Sequence, residues 1–201
     1  MLDAGVAALL RDVADYGPDR LAAEARDLAA MGSAFAERLM AFWRAPSDRQ
    51  FFPKAVLQPY GQRLAESAVA PHDRQLWRTD NCCPACGGAP QLAILDAAPV
   101  SGDGSSRRLQ CANCLTEWPL RRVMCPQCGE DDEHKLGYFQ SEEFEHVRVD
   151  ACDTCRHYLK SVDLQKLGLA VPLVDEVAAA PLDAWAHEQG YKKIELNLIG
   201  L

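Results

Sequence analysis

Cys83-Pro84-Ala85-Cys86-Gly87 returns further along the chain as Cys125-Pro126-Gln127-Cys128-Gly129, and this repeat decides how the chain is read. A second pair of turns, Cys111-Ala112-Asn113-Cys114 and Cys152-Asp153-Thr154-Cys155, recurs at nearly the same offset. Matching internal spacing at one period marks two tandem copies of one unit. A CxxC turn brings two thiolates toward one ion, and a tetrahedral all-sulfur site takes two such turns. The intervals set the partners. Cys86 and Cys111 are separated by almost the same length of chain as Cys128 and Cys152, whereas Cys114 and Cys125 stand much closer together. The spacing therefore predicts one site from Cys83, Cys86, Cys111 and Cys114 and another from Cys125, Cys128, Cys152 and Cys155. Two zinc ribbons or two rubredoxin-like units fit equally. Four thiolates suit zinc and a single iron alike, so the expected cofactors are two metal ions, zinc or iron, each bound tetrahedrally by four cysteines.

The flanks of the turns agree. Pro84 and Pro126 fix φ within each first knuckle. Gly87 and Gly129 follow the second thiolate, where the chain turns back and glycine tolerates a positive φ. Short β-like runs at 91–96, 107–110, 135–139 and 146–149 lead to or from the knuckles, with a turn-rich stretch at 101–106. Four thiolates on a dication leave a charge near −2. Arg107, Arg108, Arg121, Arg122, Arg148, Arg156 and Lys160 lie close in sequence and are expected to balance it. Cys82 is the remainder, expected to be a partly buried bystander.

Composition sets the bounds. The chain has 201 residues, 48% hydrophobic and 25% charged, which excludes a disordered or collagen-like chain. A formal charge of −8 argues against broad binding to nucleic acid, where Lys and Arg on phosphates supply the affinity. No apolar run approaches the roughly 20 residues of a membrane span. Residues 1–12 carry an acid at position 3 and do not read as a secretory signal. The expected address is the cytoplasm, where nine cysteines point to metal rather than to disulfides. No GxSxG, HExxH or Walker loop is present, and the five histidines are scattered. Four thiolates close a coordination sphere and make a structural site, so no enzyme and no catalytic residue is indicated.

Ahead of the cysteines, Leu21, Ala25, Leu28, Met31, Phe35, Leu39 and Phe42 recur at steps of three and four and predict one helical stripe of about six turns, bounded by Pro18 and Pro46. Residues 51–70 predict a second helix, broken or kinked at Pro59. Residues 71–80, with Trp77, read as a linker. After Cys155 comes a mixed segment to Leu169, then a short helix over 181–190 with Trp185 and an apolar end at 194–201 that packs as a strand or extended tail. The predicted class is α+β. A helical region (1–80) precedes two tandem rubredoxin-like or zinc-ribbon modules (81–120 and 121–165) and a short α/β C-terminal segment (166–201).

These residues resemble the FdhE family of formate dehydrogenase accessory proteins. The likeness rests on Cys83-Pro84-Ala85-Cys86-Gly87-Gly88-x-Pro90, on Leu109-Gln110-Cys111-x-x-Cys114-x-Thr116-Glu117-Trp118, on Arg122-x-x-Cys125-Pro126-x-Cys128-Gly129 and on Cys152-x-x-Cys155-x-x-Tyr158-Leu159-Lys160. Leu57-Gln58-Pro59-Tyr60 and Asn197-Leu198-Ile199-Gly200-Leu201 are similar too. It covers roughly residues 50–201. The resemblance implies a cytoplasmic, metal-binding, non-enzymatic maturation factor that binds the catalytic subunit of formate dehydrogenase, with the eight paired cysteines as ligands. It also implies a longer helical region than the stretch that precedes Cys83 here, so that client binding could differ or involve a homodimer. Two other classes stand beside this one. They are an iron- or thiol-based redox protein and, less favoured, a zinc-ribbon nucleic-acid-binding protein.

Overall fold

A computed structural model describes residues 4–45, 51–67, 81–96 and 107–200. The expected linker at 71–80, the turn at 101–106, Pro46 and the last residues of the predicted second helix lie outside them. The chain divides into two units, Met1–Pro59 and Tyr60–Leu201.

The first unit holds α1 (Ala4–Tyr16), α2 (Asp19–Ala30), α3 (Ala34–Arg44) and most of α4 (Phe51–Glu66). Its core is Leu10, Ala25, Leu28, Phe35 and Phe52. The expected single stripe is carried by two helices. Gly32 sits at φ +55 between α2 and α3, a conformation that costs an L side chain about 1 kcal/mol and ends a right-handed helix. Met31 is left partly exposed at that junction, while Leu28 and Phe35 on either side are buried. Helix α1 was not legible as a separate element. α4 continues through Pro59, the missing N–H removing one backbone bond without ending the helix.

The second unit is built on one sheet of β1 (Pro90–Leu95), β2 (Arg107–Cys111), β3 (Glu117–Pro119), β4 (Leu136–Gln140), β5 (Val147–Cys152), β6 (His157–Asp163) and β7 (Lys192–Lys193), in the order β3-β2-β1-β6-β5-β4, with β7 on β6. The four predicted runs reappear as β1, β2, β4 and β5, close to their expected bounds except for β5, which extends to Cys152. Neighbours pair antiparallel except β1 with β6 and β6 with β7. β1 and β6 join the strands of the first cysteine repeat to those of the second, with Leu92 opposite Lys160 and Leu95 opposite Asp163.

Strand alternation sorts the side chains onto two faces. One face presents Val147, Val149, Ala151, Tyr158 and Val162 to Ala179, Leu182 and Ala186 of the segment formed by α5 (Pro172–Ala178) and α6 (Ala180–Glu188). The other presents Ala93, Leu109 and Leu159 to Cys83, Cys114, Trp118, Leu120 and Met124. β6 and α5 fall within or just beyond what read as a mixed segment. Lys160 breaks the apolar alternation of β6, although it is fully buried. Residues 194–200, expected as a strand or an extended tail, hold no strand; the short β7 lies just before them, and bends and turns follow.

Candidate metal centres

The eight predicted ligands converge as two tetrads, Cys83, Cys86, Cys111 and Cys114, and Cys125, Cys128, Cys152 and Cys155, with the sulfurs of each within 4.8 Å of one another. In the first, Sγ of Cys83 is 3.5 Å from that of Cys114, and Sγ of Cys86 is 3.4 Å from that of Cys111. In the second, the Cys125–Cys155 and Cys128–Cys152 separations are both 3.7 Å. A tetrahedron with metal–sulfur bonds of about 2.3 Å has sulfur–sulfur edges of about 3.8 Å. Both tetrads therefore fit one four-thiolate ion each, and both could hold zinc or iron.

Each knuckle is a closed local turn. Gly87 N–H donates to the Cys83 carbonyl at 2.8 Å, and Gly129 N–H to that of Cys125 at 3.0 Å. Leu115 and Arg156 repeat this bond onto Cys111 and Cys152 at 3.2 and 2.9 Å. All four residues are left-handed, at φ +73 and +77 for the glycines and +58 for both Leu115 and Arg156. Inside the turns, backbone N–H groups point at sulfur. Ala85 donates to Cys83 Sγ at 3.4 Å, Asn113 to Cys111 Sγ at 3.3 Å, and Gln127 to Cys125 Sγ at 3.4 Å. Glycine at two knuckles was visible in the sequence. Leu115 and Arg156 were missed, because no residue type announces a left-handed leucine or arginine.

Crowding four thiols splits their acidities. Cys114 is drawn far below the ordinary thiol range by hydrogen bonds from Cys111 first, then Cys83 and Cys86. Cys111 is pushed far above it by the same neighbours, Cys114 foremost. In the second tetrad burial pushes Cys125 up to about 11. The tetrads also differ in exposure. Three sulfur ligands of the first are buried and Cys86 is half-buried, whereas Cys128 of the second is exposed and Cys155 half-buried. Cys82 is half-buried and belongs to neither tetrad.

The basic residues expected to balance thiolate charge mostly pair with carboxylates. Arg108 binds Asp96 at 2.7 Å and Glu117 at 2.5 Å, Arg121 lies 3.5 Å from Asp131, Arg148 binds Asp150 at 2.8 Å, and Arg156 binds Asp153 at 3.0 Å. Arg107 reaches Asp150 at 3.3 Å and the Met124 carbonyl at 3.0 Å. Lys160 enters a closed network beneath α5 and α6. Its Nζ lies 2.5 Å from Asp183 and 3.0 Å from Glu176, and Lys193 Nζ lies 2.5 Å from Glu176 and 3.2 Å from Asp183. Tyr158 donates to Asp183 at 2.8 Å and Asn197 to Glu176 at 2.7 Å. Two ammonium groups thus meet two carboxylates out of water, with further donors on the free oxygens. Tyr158, Lys160 and Asn197, quoted above for their family likeness, meet here and fasten the C-terminal segment to the sheet.

Residues 123–199 match the model of the FdhE C-terminal domain. The protein FdhE homolog of Aquifex aeolicus is 38% identical over 152 residues, 75% of this chain and 52% of that protein. That of Haemophilus influenzae strain PittGG is 32% identical over 153 residues, 75% of this chain and 49% of its own. The crystal structure of the FdhE protein from Pseudomonas aeruginosa superposes with a TM-score of 0.61 at 26% identity, covering 98% of this chain and 63% of that one. The chain spans about half the length of these curated relatives. With the paired tetrads on one sheet, these likenesses carry one conclusion: residues 123–199 match the FdhE C-terminal domain, and the chain is similar to FdhE proteins over three quarters of its length.

Proposed function

We propose that the protein is a non-catalytic accessory factor required for formate dehydrogenase activity, acting in the cytoplasm by binding the catalytic subunit of that enzyme through its metal-stabilised modules. The observation that carries the reading is the pair of cysteine tetrads on a single sheet in a chain similar to FdhE proteins. Cys83, Cys86, Cys111 and Cys114 hold one ion and Cys125, Cys128, Cys152 and Cys155 the other. The ion supplies the cross-link that lets a small sheet persist. The chain's own part is to orient thiolates by left-handed knuckles, to donate N–H groups to them, and to hold β1 and β6 together so that both modules present one rigid surface. No helix among the described residues is long and apolar enough to cross a membrane.

Co-purification with a candidate formate dehydrogenase catalytic subunit, with metal analysis of the complex, tests this. Retention of the subunit with two ions per chain is expected. Absence of the subunit under both aerobic and anaerobic conditions would overturn the partner assignment.

A redox reading has one observation in its favour, the exposed Cys128. An iron held there stands near solvent and near any partner docked on that edge. Visible absorption of the purified protein before and after oxidation with ferricyanide separates the two, because ferric ions with four thiolates are coloured and zinc is not.

A further inference from the structure

The path of strands in the sheet ends on β3 at one side and on β4 at the other, and the two edges are finished differently. β3 is guarded. It is three residues long, opens on Glu117, which is held by Arg108, and closes on Pro119, which has no N–H to offer. β4 carries none of these devices. Leu136, Gly137, Tyr138, Phe139 and Gln140 are uncharged, include no proline and pair with β5 in unbroken register from Leu136 opposite Cys152 to Gln140 opposite Arg148.

The register also fixes which backbone groups face outward. The Asp153 N–H donates to the Lys135 carbonyl at 2.9 Å, and bonded positions alternate along an antiparallel pair. Gly137 and Phe139 therefore bond β5, while Leu136, Tyr138 and Gln140 aim their N–H and C=O groups away from it. The Leu136 N–H donates to the Glu133 carbonyl. No backbone group among the described residues meets those of Tyr138. An aromatic ring stands on either face of this edge. Tyr138, 65% exposed, lies under the Arg148 guanidinium at 5.0 Å, and Phe139, 38% exposed, lies 4.6 Å from Trp185.

The surround of the edge is acidic. Asp131, Asp132 and Glu133 precede β4, and Glu142, Glu143 and Glu145 follow it, all exposed. Nearby cations are already matched: Arg121 with Asp131 at 3.5 Å, Lys135 with Glu130 at 3.4 Å and Arg148 with Asp150 at 2.8 Å. Among the described residues Arg122, His134 and Lys166 pair with no carboxylate, and Glu133, Glu142, Glu143 and Glu145 pair with no cation. Even with His134 counted as charged the carboxylates are in excess. The second tetrad, whose Cys152 lies opposite Leu136, adds to the same sign once a metal is bound. Charge thus selects a basic occupant. It also disfavours a second copy of this chain, because antiparallel self-pairing about Tyr138 sets Glu133 opposite Glu143.

We propose that the free edge of β4 takes up an extended, lysine- or arginine-bearing segment of a partner protein as an additional strand. Its backbone bonds Tyr138, its apolar side chains lie against Tyr138 and Phe139, and its cations lie toward Glu133 at one end and toward Glu142, Glu143 and Glu145 at the other. The proposal rests on the reading of the protein as a factor that binds a client, and the client is the partner. Main-chain bonds to an open edge supply affinity in such a complex, and the flanking side chains supply the choice of sequence.

The test uses the full, metal-loaded chain and a fluorescein-labelled twelve-residue peptide of alternating Lys and Val. Fluorescence polarisation is expected to show saturable binding that weakens with added salt, and none for the matching Glu-Val peptide. The Lys-Val peptide with N-methyl groups on consecutive central residues keeps its charge, cannot pair along either of its edges, and should bind at least tenfold more weakly. Tyr138→Pro removes an N–H that β5 does not use, so it should fold and lose binding; Tyr138→Ala removes the same ring, keeps the N–H and should bind at least tenfold tighter than the proline variant. Equal binding of the Lys-Val and Glu-Val peptides, equal binding of the methylated peptide, or equal affinities of the two Tyr138 variants would each overturn the proposal. So would a dimer of the wild-type chain in sedimentation that Tyr138→Pro abolishes, since the edge would then belong to a second copy. Capture of the formate dehydrogenase catalytic subunit is compared last. Equal capture by wild type and Tyr138→Pro overturns the edge as the client's seat. No capture by either, with the Lys-Val peptide still bound, overturns the client and leaves the edge standing as a site for a basic strand.

Discussion

The guanidinium of Arg156 stands 3.9 Å from the centre of the Tyr191 ring, so the last knuckle of the second tetrad is locked onto the end of α6. The same guanidinium donates to the Gln189 carbonyl at 2.6 Å, and Tyr191 donates to Asp153 within the knuckle at 2.6 Å. These contacts help to offset the cost of an arginine at φ +58, the position that Leu115 takes in the first tetrad, also at φ +58. The left-handed backbone costs about 1 kcal/mol, and the ring contact returns about 0.5–1 kcal/mol.

Arg156→Ala keeps the strained backbone and loses the contacts, and should destabilise the metal-loaded protein by about 1–2 kcal/mol. Arg156→Gly loses the contacts but relieves the strain, and should cost less. Thermal melts of the two variants check the order. A glycine variant less stable than the alanine one would mean that the backbone conformation is not what the side chain holds in place.

Metal should leave the two tetrads at different rates. Cys83, Cys111 and Cys114 are buried, while Cys128 is exposed. A chelator in excess is expected to take the metal content from two ions per chain to one in a fast phase and to remove the second slowly. Cys83→Ser should stop that slow ion from loading at all. Because a structural four-thiolate site contributes on the order of 10 kcal/mol to folding, complete removal should collapse the sheet, seen as loss of near-ultraviolet circular dichroism.

Loading should be steeply pH-dependent. Without metal, Cys111 is held above the ordinary thiol range by its neighbours and Cys125 is held at about 11 by burial, so both carry protons at neutral pH. Metal binding must displace those protons, so affinity falls as pH falls and rises until the thiols ionise unaided. A titration with zinc in weak buffer should release protons. The apparent affinity should drop by up to tenfold per pH unit for each proton displaced.

Lys160→Met leaves Glu176 and Asp183 buried with one ammonium between them, and should cost about 3–5 kcal/mol in denaturant unfolding. Asn197→Ala removes a donor from Glu176 and should cost about 1–3 kcal/mol. A Lys160→Met variant as stable as wild type would mean that the network does not fasten α5 and α6 to the sheet.

The grouping of the cysteines was legible because it is local. CxxC spacing, the matching intervals from Cys86 to Cys111 and from Cys128 to Cys152, and glycine after each first knuckle need only the geometry of a turn and of a four-thiolate ion. The strands beside the knuckles were legible from short β-rich runs. The two-helix break at Gly32 was not, since an apolar pattern stepping by three and four looks the same on either side of a left-handed glycine. Only the tertiary structure decided that β1 and β6 make one sheet of two repeats, because that pairing sets Leu92 beside Lys160 across a long stretch of chain and nothing local encodes it. The same long-range packing buries Lys160 and exposes Cys128. Local spacing determines which atoms can bind a metal; the packing of distant strands determines which of them a partner can reach.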